Sequence, residues 1–251
     1  MTPLDRSKMT IMITGAGLST RMRPLTDNIH KIMLPIAPGL PMLEHTLNLM
    51  KQQGFKNFVV NTHYLPHTIT DYFGDGKKFG LNIAYSHESG EPLEVGGGLK
   101  KAAHLLSDPF MLIYGDHLHF LDFDPFFELY EKSGGAGVIA LSDQGNPLEG
   151  EVAEFNKDSY RIIRWYTRPH NIKKVSDTHL RNAGFYILSK SILDHIPANK
   201  KVSLDKEIMS GIIESGVPLY GLKIEKPFVD VGTPERYEYA KKWYQEQLGK
   251  E

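Results

Sequence analysis

IMITGAGLSTRMRPLTDNIHK, residues 11–31, decides how the rest of the chain is read. It opens with a short apolar run, breaks at Gly15 and Gly17, and places Thr20, Arg21 and Arg23 behind the break, with Lys31 at the far end of a polar loop. A buried strand that ends in small residues lets backbone N–H groups close on an anion, and the cations that follow can neutralise it.

Spacing separates the phosphate-binding options. A dinucleotide fingerprint needs G-x-G-x-x-G opening a helix, with an acidic residue about 20 positions on. Thr20 stands where the third glycine belongs, Pro24 interrupts the helix, and the next apolar strand ends at Asn61. A Walker A loop requires Gly-Lys-Ser/Thr, and the chain has none.

GAGLSTRMRPLTDNIHKIMLPI resembles instead the signature of the sugar-1-phosphate nucleotidyltransferases (nucleotide-sugar pyrophosphorylases), which runs G-x-G-T-R-x-R-P-L-T, a short spacer, then P-K-P. Thr20, Arg21, Arg23, Pro24, Leu25, Thr26 and Lys31 stand in register. Ser19 replaces the glycine before Thr-Arg, and His30-Lys31-Ile32 replaces Pro-Lys-Pro. The resemblance implies nucleotide binding by Gly15, Ala16, Gly17, Ser19 and Thr20, and catalytic roles for Arg21 and Lys31. Ser19 is expected to narrow the space beside the triphosphate.

The whole chain suits such a protein. Its 251 residues can bury a substantial core, and 41% apolar content is ordinary for one α/β domain. A net charge of −1 gives no global field toward nucleic acid or a membrane surface. Without cysteines there are no disulfides or thiolate metal sites. No signal peptide and no 18-residue apolar run is visible, so a soluble cytoplasmic protein, monomer or homodimer, is the expectation. Residues 1–8 read as a polar extension that frays. One domain follows over 9–248, with a nucleotide-binding part at 9–140 and a sugar-binding and closing part at 141–248.

Leu43, Leu47 and Met50 predict a helix over 40–53 with Gly54 as its stop, then come a strand at 58–60, a helix at 69–73 and a strand at 81–85. This βαβαβ rhythm predicts a mostly parallel sheet with helices on its faces, and the resemblance implies the mixed, mostly parallel Rossmann-like sheet of the nucleotide-diphospho-sugar transferases. In 91–101, EPLEVGGGLKK, three glycines precede an amphipathic helix, which lets a flat ligand lie against main chain. The strand at 110–114 ends in Gly115-Asp116, where open α/β sheets present catalytic groups, although a helix-capping aspartate fits there too. His117 and His119 make an H-x-H pair, but no further His or Cys cluster completes a zinc set. Asp122-Phe123-Asp124 spells the D-x-D of glycosyltransferases and reads as a surface turn before Pro125. Strands follow at 138–141, 152–155, 161–166 and 183–188, the middle two as a hairpin, and helices at 190–195 and 205–214. Pro234 sits at N1 of a closing helix that runs through Gln247.

The resemblance extends through these segments. EPLEVGGG is similar to the family's E-P-L-x-T-G-G-G/A, which implies that Gly96 and Gly97 lie near the base and Glu91 near the nucleotide or sugar end. By the same resemblance, Asp116 and Asp230, the latter in a D-V-G-T-P-E-R-Y stretch similar to D-I-G-T-P-E-R-Y, jointly hold Mg²⁺. Thr167-Arg168-Pro169 stands where the family has E-K-P, so Arg168 takes the place of the lysine that contacts the sugar phosphate, unless it is a plain surface arginine. Asn182-Ala183-Gly184 resembles an N-x-G segment whose Asn182 and Gly184 positions face the sugar. The reaction implied is NTP plus sugar 1-phosphate giving NDP-sugar and pyrophosphate, with UTP or GTP as donor and uridine slightly preferred. The signature departures leave a noncatalytic nucleotide-sugar binding protein as the other reading.

Overall fold

β1 (Thr10–Ile13) is buried along its whole length. In the computed structural model, which describes residues 4–249, it lies near the centre of a nine-stranded sheet. Its alternate side chains go to opposite faces, as the period of two requires. Ile11 and Ile13 join one core cluster and Met12 the other.

A two-stranded ribbon, β2 (Pro35–Ala37) with β3 (Leu40–Pro41), leads into α1 (Met42–Gln52). Next come β4 (Asn57–Thr62), α2 (His67–Phe73), β5 (Asn82–His87), α3 (Glu94–Ala102) and β6 (Phe110–Ile113). Then follow β7 (His117–His119), α4 (Asp124–Ser133), β8 (Gly137–Ser142), β9 (Val152–Phe155), β10 (Ile162–Tyr166) and β11 (His179–Leu188). The chain continues through α5 (Met209–Glu214), β12 (Leu219–Lys223), β13 (Phe228–Asp230) and α6 (Pro234–Leu248). No helix among the described residues is long and apolar enough to cross a membrane.

The main sheet path is β10-β9-β11-β6-β1-β4-β5, with β8 between β11 and β12. The pairs β6–β1, β1–β4 and β4–β5 are parallel, as βαβ crossovers demand, and β11 enters antiparallel to β6, β8 and β9. One core cluster sets Ile11, Phe58, Val60 and Ile113 against α1, α2 and α4. The other sets Met12, Val59 and Leu112 against α3 and α5. Strand order reverses at β1, since the chain runs outward to β4 and β5 and returns to β6 on its other side. Such a switch point opens a crevice at the carboxyl ends of β1 and β6.

Some expectations are corrected. Leu4 donates its backbone N–H to Glu131 Oε1 at 2.7 Å, and the Arg6 guanidinium lies 4.6 Å from the Phe127 ring centroid while pairing with Asp124. Residues 4–8 are therefore docked, not frayed, and the rest of the 1–8 extension lies outside the described residues. Gly96, Gly97 and Gly98 are not a loop ahead of a helix but sit inside α3. The 205–214 helix begins with a π-helical turn, Leu204–Ile208, before α5. Asp122 Oδ1 accepts from the Asp124 N–H at 3.0 Å, in keeping with a turn that starts α4.

Candidate active site

The loop leaving β1 crosses the switch point and is tied down by its neighbours. Gly15 N–H donates to Asn61 Oδ1 at 2.7 Å at the end of β4. A Cβ on Gly15 would lie 2.8 Å from the Asn61 carbonyl oxygen, so only glycine fits. Thr20–Met22 forms a 3₁₀ turn capped by Ser19, whose φ of 55° is left-handed. That conformation costs a residue with a Cβ about 1–3 kcal/mol, and it explains the family's glycine at this position. Thr26 is fully buried and its hydroxyl donates to the Ser19 carbonyl at 2.9 Å, holding the turn from below.

His30 does what no proline can. Its Nδ1 accepts from the Ile32 N–H at 3.3 Å, capping the 3₁₀ turn that carries Lys31, and its Nε2 meets the Gly17 carbonyl at 3.1 Å. The ring is neutral with its proton on Nε2, because a carbonyl only accepts. Burial lowers its pKa from 6.5 to about 4. One buried imidazole therefore joins both ends of the signature loop.

Beside this loop is a cavity of about 260 Å³ lined by Thr14, Ala16, Gly17, Asn61, Pro92, Glu94 and Val95. Its floor is organised by Glu88, fully buried, which accepts from Asn61 Nδ2 and from the Leu93 N–H at 2.7 Å each. A Cβ on Gly98 would come within 2.7 Å of Glu88 Oε1 and 2.8 Å of Asn61 Nδ2. Gly96 and Gly97 do not line the cavity. Their missing side chains admit the backbone of a neighbouring segment, the carbonyls of Val202 and Lys200. Pro92, Glu94 and Val95 form that wall instead. Glu91 is exposed, 3.6 Å from Lys201.

The two aspartates meet through a short ribbon. β7 pairs antiparallel with β13, placing Asp230 opposite His117, and the Val231 N–H donates to the Asp116 carbonyl at 2.8 Å. One oxygen of each carboxylate is held by a cation: Lys31 Nζ reaches Asp116 Oδ2 at 2.6 Å, and Arg236 Nη1 reaches Asp230 Oδ2 at 2.9 Å. Burial opposes ionisation of Asp116, but the Lys31 ammonium beside it overcomes that, and its pKa lies well below the usual carboxylate range. A Cβ on Gly232 would lie 3.2 Å from Asp230 Oδ1 and 3.3 Å from Arg21 Nη2, so Arg21 also reaches this corner. Thr14 joins the two regions: it borders the cavity, and its hydroxyl accepts from the Gly115 N–H at 3.0 Å.

On the β11 side, Asn182 Nδ2 donates to Asp205 Oδ2 at 3.0 Å and to the Tyr186 hydroxyl, while its Oδ1 accepts from the Gly184 N–H. Asp205 also accepts from the Tyr114 and Tyr186 hydroxyls, and burial raises its pKa to about 6. Asn182 thus belongs to an internal network. Arg168 is exposed, and its Nε pairs with the buried Glu151 at 3.0 Å. Of the H-x-H pair, only His117 borders the aspartates; His119 is buried against Phe185 and Phe123. Among the described residues, Asp116, His117 and Asp230 are the one group that brings three such ligand atoms together, within 4.8 Å of one another.

A glycine-containing loop after β1, a strand-end carboxylate pair and an adjoining cavity at the switch point define an α/β protein of the nucleotidyltransferase kind. Residues 10–247 match the nucleotidyl transferase family, and the chain belongs to it. It is 31% identical to a UTP–glucose-1-phosphate uridylyltransferase of Synechocystis sp. over 91% of this chain and 61% of that protein. It is 43% identical to an N-acetylmuramate alpha-1-phosphate uridylyltransferase of Neisseria meningitidis over 48% of this chain and 52% of that one. The match covers about three-fifths of the Synechocystis protein and about half of the Neisseria one. Its fold matches a putative glucose-1-phosphate thymidylyltransferase from Bacillus anthracis with a TM-score of 0.79 at 20% identity, covering 94% of each chain.

Proposed function

We propose that this chain transfers a nucleotidyl group from an NTP to a sugar 1-phosphate, releasing pyrophosphate. The observation that carries the reading is the meeting of the signature-loop cations Arg21 and Lys31 with Asp116 and Asp230 beside the 260 Å³ cavity. UTP is the proposed donor, in keeping with the uridylyltransferase relatives.

A sugar-phosphate oxygen would attack the α-phosphorus in line; a P–O bond forms there as the bond to the pyrophosphate oxygen breaks, and no proton need move. Positioning and charge neutralisation then do most of the work. Arg21 would neutralise the departing pyrophosphate. Lys31, oriented by Asp116, would stabilise charge on the α-phosphate. The loop from Gly15 to Thr20 would present its amides to the phosphates, and the cavity wall of Pro92, Glu94 and Val95 would take the base. Asn182 would act on the sugar through the Asp205 network and Arg168 through Glu151, both as positioning residues, while Gly184 leaves the space that the His117 and Tyr114 rings need. Gly96 and Gly97 would set how closely α3 approaches the base, and Glu91 would stay at the rim.

The donor set fits a hard divalent cation, because each aspartate keeps one oxygen apart from its bound cation. Mg²⁺ is the proposed ion; when bound it supplies charge neutralisation between the two polyanionic substrates. The deciding experiment is a pyrophosphate-release screen of four NTPs against a panel of sugar 1-phosphates with Mg²⁺. Release with UTP and one sugar 1-phosphate is expected. Tight nucleotide-sugar binding without any release would replace the enzyme with a binding protein.

A further inference from the structure

His117 borders the aspartate pair, and the proposed reaction leaves it without a role. Its Nδ1 lies 2.8 Å from the Ala183 carbonyl oxygen. A carbonyl only accepts, so the neutral ring carries its proton on Nδ1 and leaves the Nε2 lone pair bare. That Nε2 is 3.8 Å from Asp116 Oδ1, the oxygen that Lys31 does not take. The ring is also fixed. It packs 4.8 Å from Phe228 by centroids, and Gly184 makes room for it, since a Cβ there would lie 2.6 Å from His117 Cε1 and 2.7 Å from Nδ1. A ligating imidazole is held by such a bond from its other nitrogen to a carbonyl oxygen.

We propose that His117 Nε2 is a third protein ligand of the divalent cation, beside Asp116 and Asp230. The donor set is then mixed oxygen and nitrogen. It favours Mn²⁺ or Co²⁺ over Mg²⁺ more than an all-carboxylate pair does, because imidazole binds the later divalent metals better while Mg²⁺ takes oxygen. The inference rests on the reading of Asp116 and Asp230 as the metal-holding pair.

The test uses the whole chain and Mn²⁺ alone, with no substrate. Pulsed EPR of the wild-type protein is expected to show ¹⁴N coupling from a directly bound imidazole, and His117→Phe, which keeps the packing on Phe228, to remove it. Competition titration of Mg²⁺ against Mn²⁺ should show the preference for Mn²⁺ falling about tenfold or more in that variant. His117→Gln provides the same comparison if the phenylalanine variant does not fold. Mn²⁺ binding that Asp116→Asn abolishes, but that carries no ¹⁴N coupling in the wild type, would overturn the ligand and leave the aspartate pair standing. Absence of Mn²⁺ binding overturns it as well. If ¹⁴N coupling is present while no NTP and sugar phosphate yield pyrophosphate, the ligand stands and the reaction fails.

Discussion

At the scale of single residues, Lys31 and Ser19 carry the sharpest expectations. Lys31→Ala removes the cation nearest Asp116 and should lower kcat by about 10²-fold with the fold intact by circular dichroism, as losses of single electrostatic stabilisers do. Full turnover with weaker NTP binding would move Lys31 to a binding role. Ser19→Gly should raise the unfolding free energy by about 0.5–1 kcal/mol in urea titrations, because relief of the left-handed strain outweighs the added chain entropy of glycine. No gain would mean that the Ser19 conformation is cost-free. Proton linkage is set by opposing groups. His30 has a lowered pKa, so the unfolded chain takes up its proton first and stability is lost as pH falls from 6.5 to about 4, on the order of 3 kcal/mol. His119, whose pKa burial also lowers, adds to that loss. Asp205 has a raised pKa, so its contribution is present at low pH and is lost as pH rises from 3.8 to about 6. Asp205→Asn should therefore steepen the loss of stability on acidification between pH 6.5 and 4, and His30→Asn should flatten it. Unfolding curves across that range that are parallel for all three proteins would contradict the linkage.

At the scale of elements, the junction of β4, β5 and α3 decides whether the cavity exists. Gly98→Ala would push a methyl onto Glu88 and Asn61, which hold the Gly15 and Leu93 amides. A destabilisation of about 1–3 kcal/mol with a marked loss of NTP affinity by calorimetry is expected. Unaltered affinity would detach the glycine from the nucleotide cavity. The sequence marked this region by its glycines, but that Gly96 and Gly97 admit the 200–202 backbone and Gly98 the Glu88 and Asn61 side chains is visible only in the fold. Repeated apolar spacing made β1, β4, β6, β8 and the helices legible, because period and burial act locally. Glu88, Asn61, Glu151 and Asp205 were missed because nothing near them in sequence distinguishes a buried carboxylate or amide from a surface one; their meaning lies in partners 5 to 91 positions away. β7 is three residues long and is a strand only because β13 completes it. No local pattern shows that.

At the scale of the whole molecule, α6 packs on the signature turn and on the ribbon together: Met22, Leu118, Val229, Tyr237 and Trp243 share one cluster. The Tyr237 hydroxyl donates to the Pro35 carbonyl at 2.6 Å. Asp116→Asn and Asp230→Asn should each reduce pyrophosphate release by orders of magnitude, partly restored by excess Mn²⁺, and the double variant should be little worse than either because both serve one ion. Multiplicative losses would separate the two aspartates. The pairing of β7 with β13 also has a consequence for timing. During synthesis the strands through β6 come first, whereas the acidic pair waits for a strand translated more than a hundred residues after Asp116. The corner where Lys31, Asp116 and Asp230 gather is thus among the last parts of the molecule to be completed, and a chain released before β13 keeps Asp116 without its partner carboxylate.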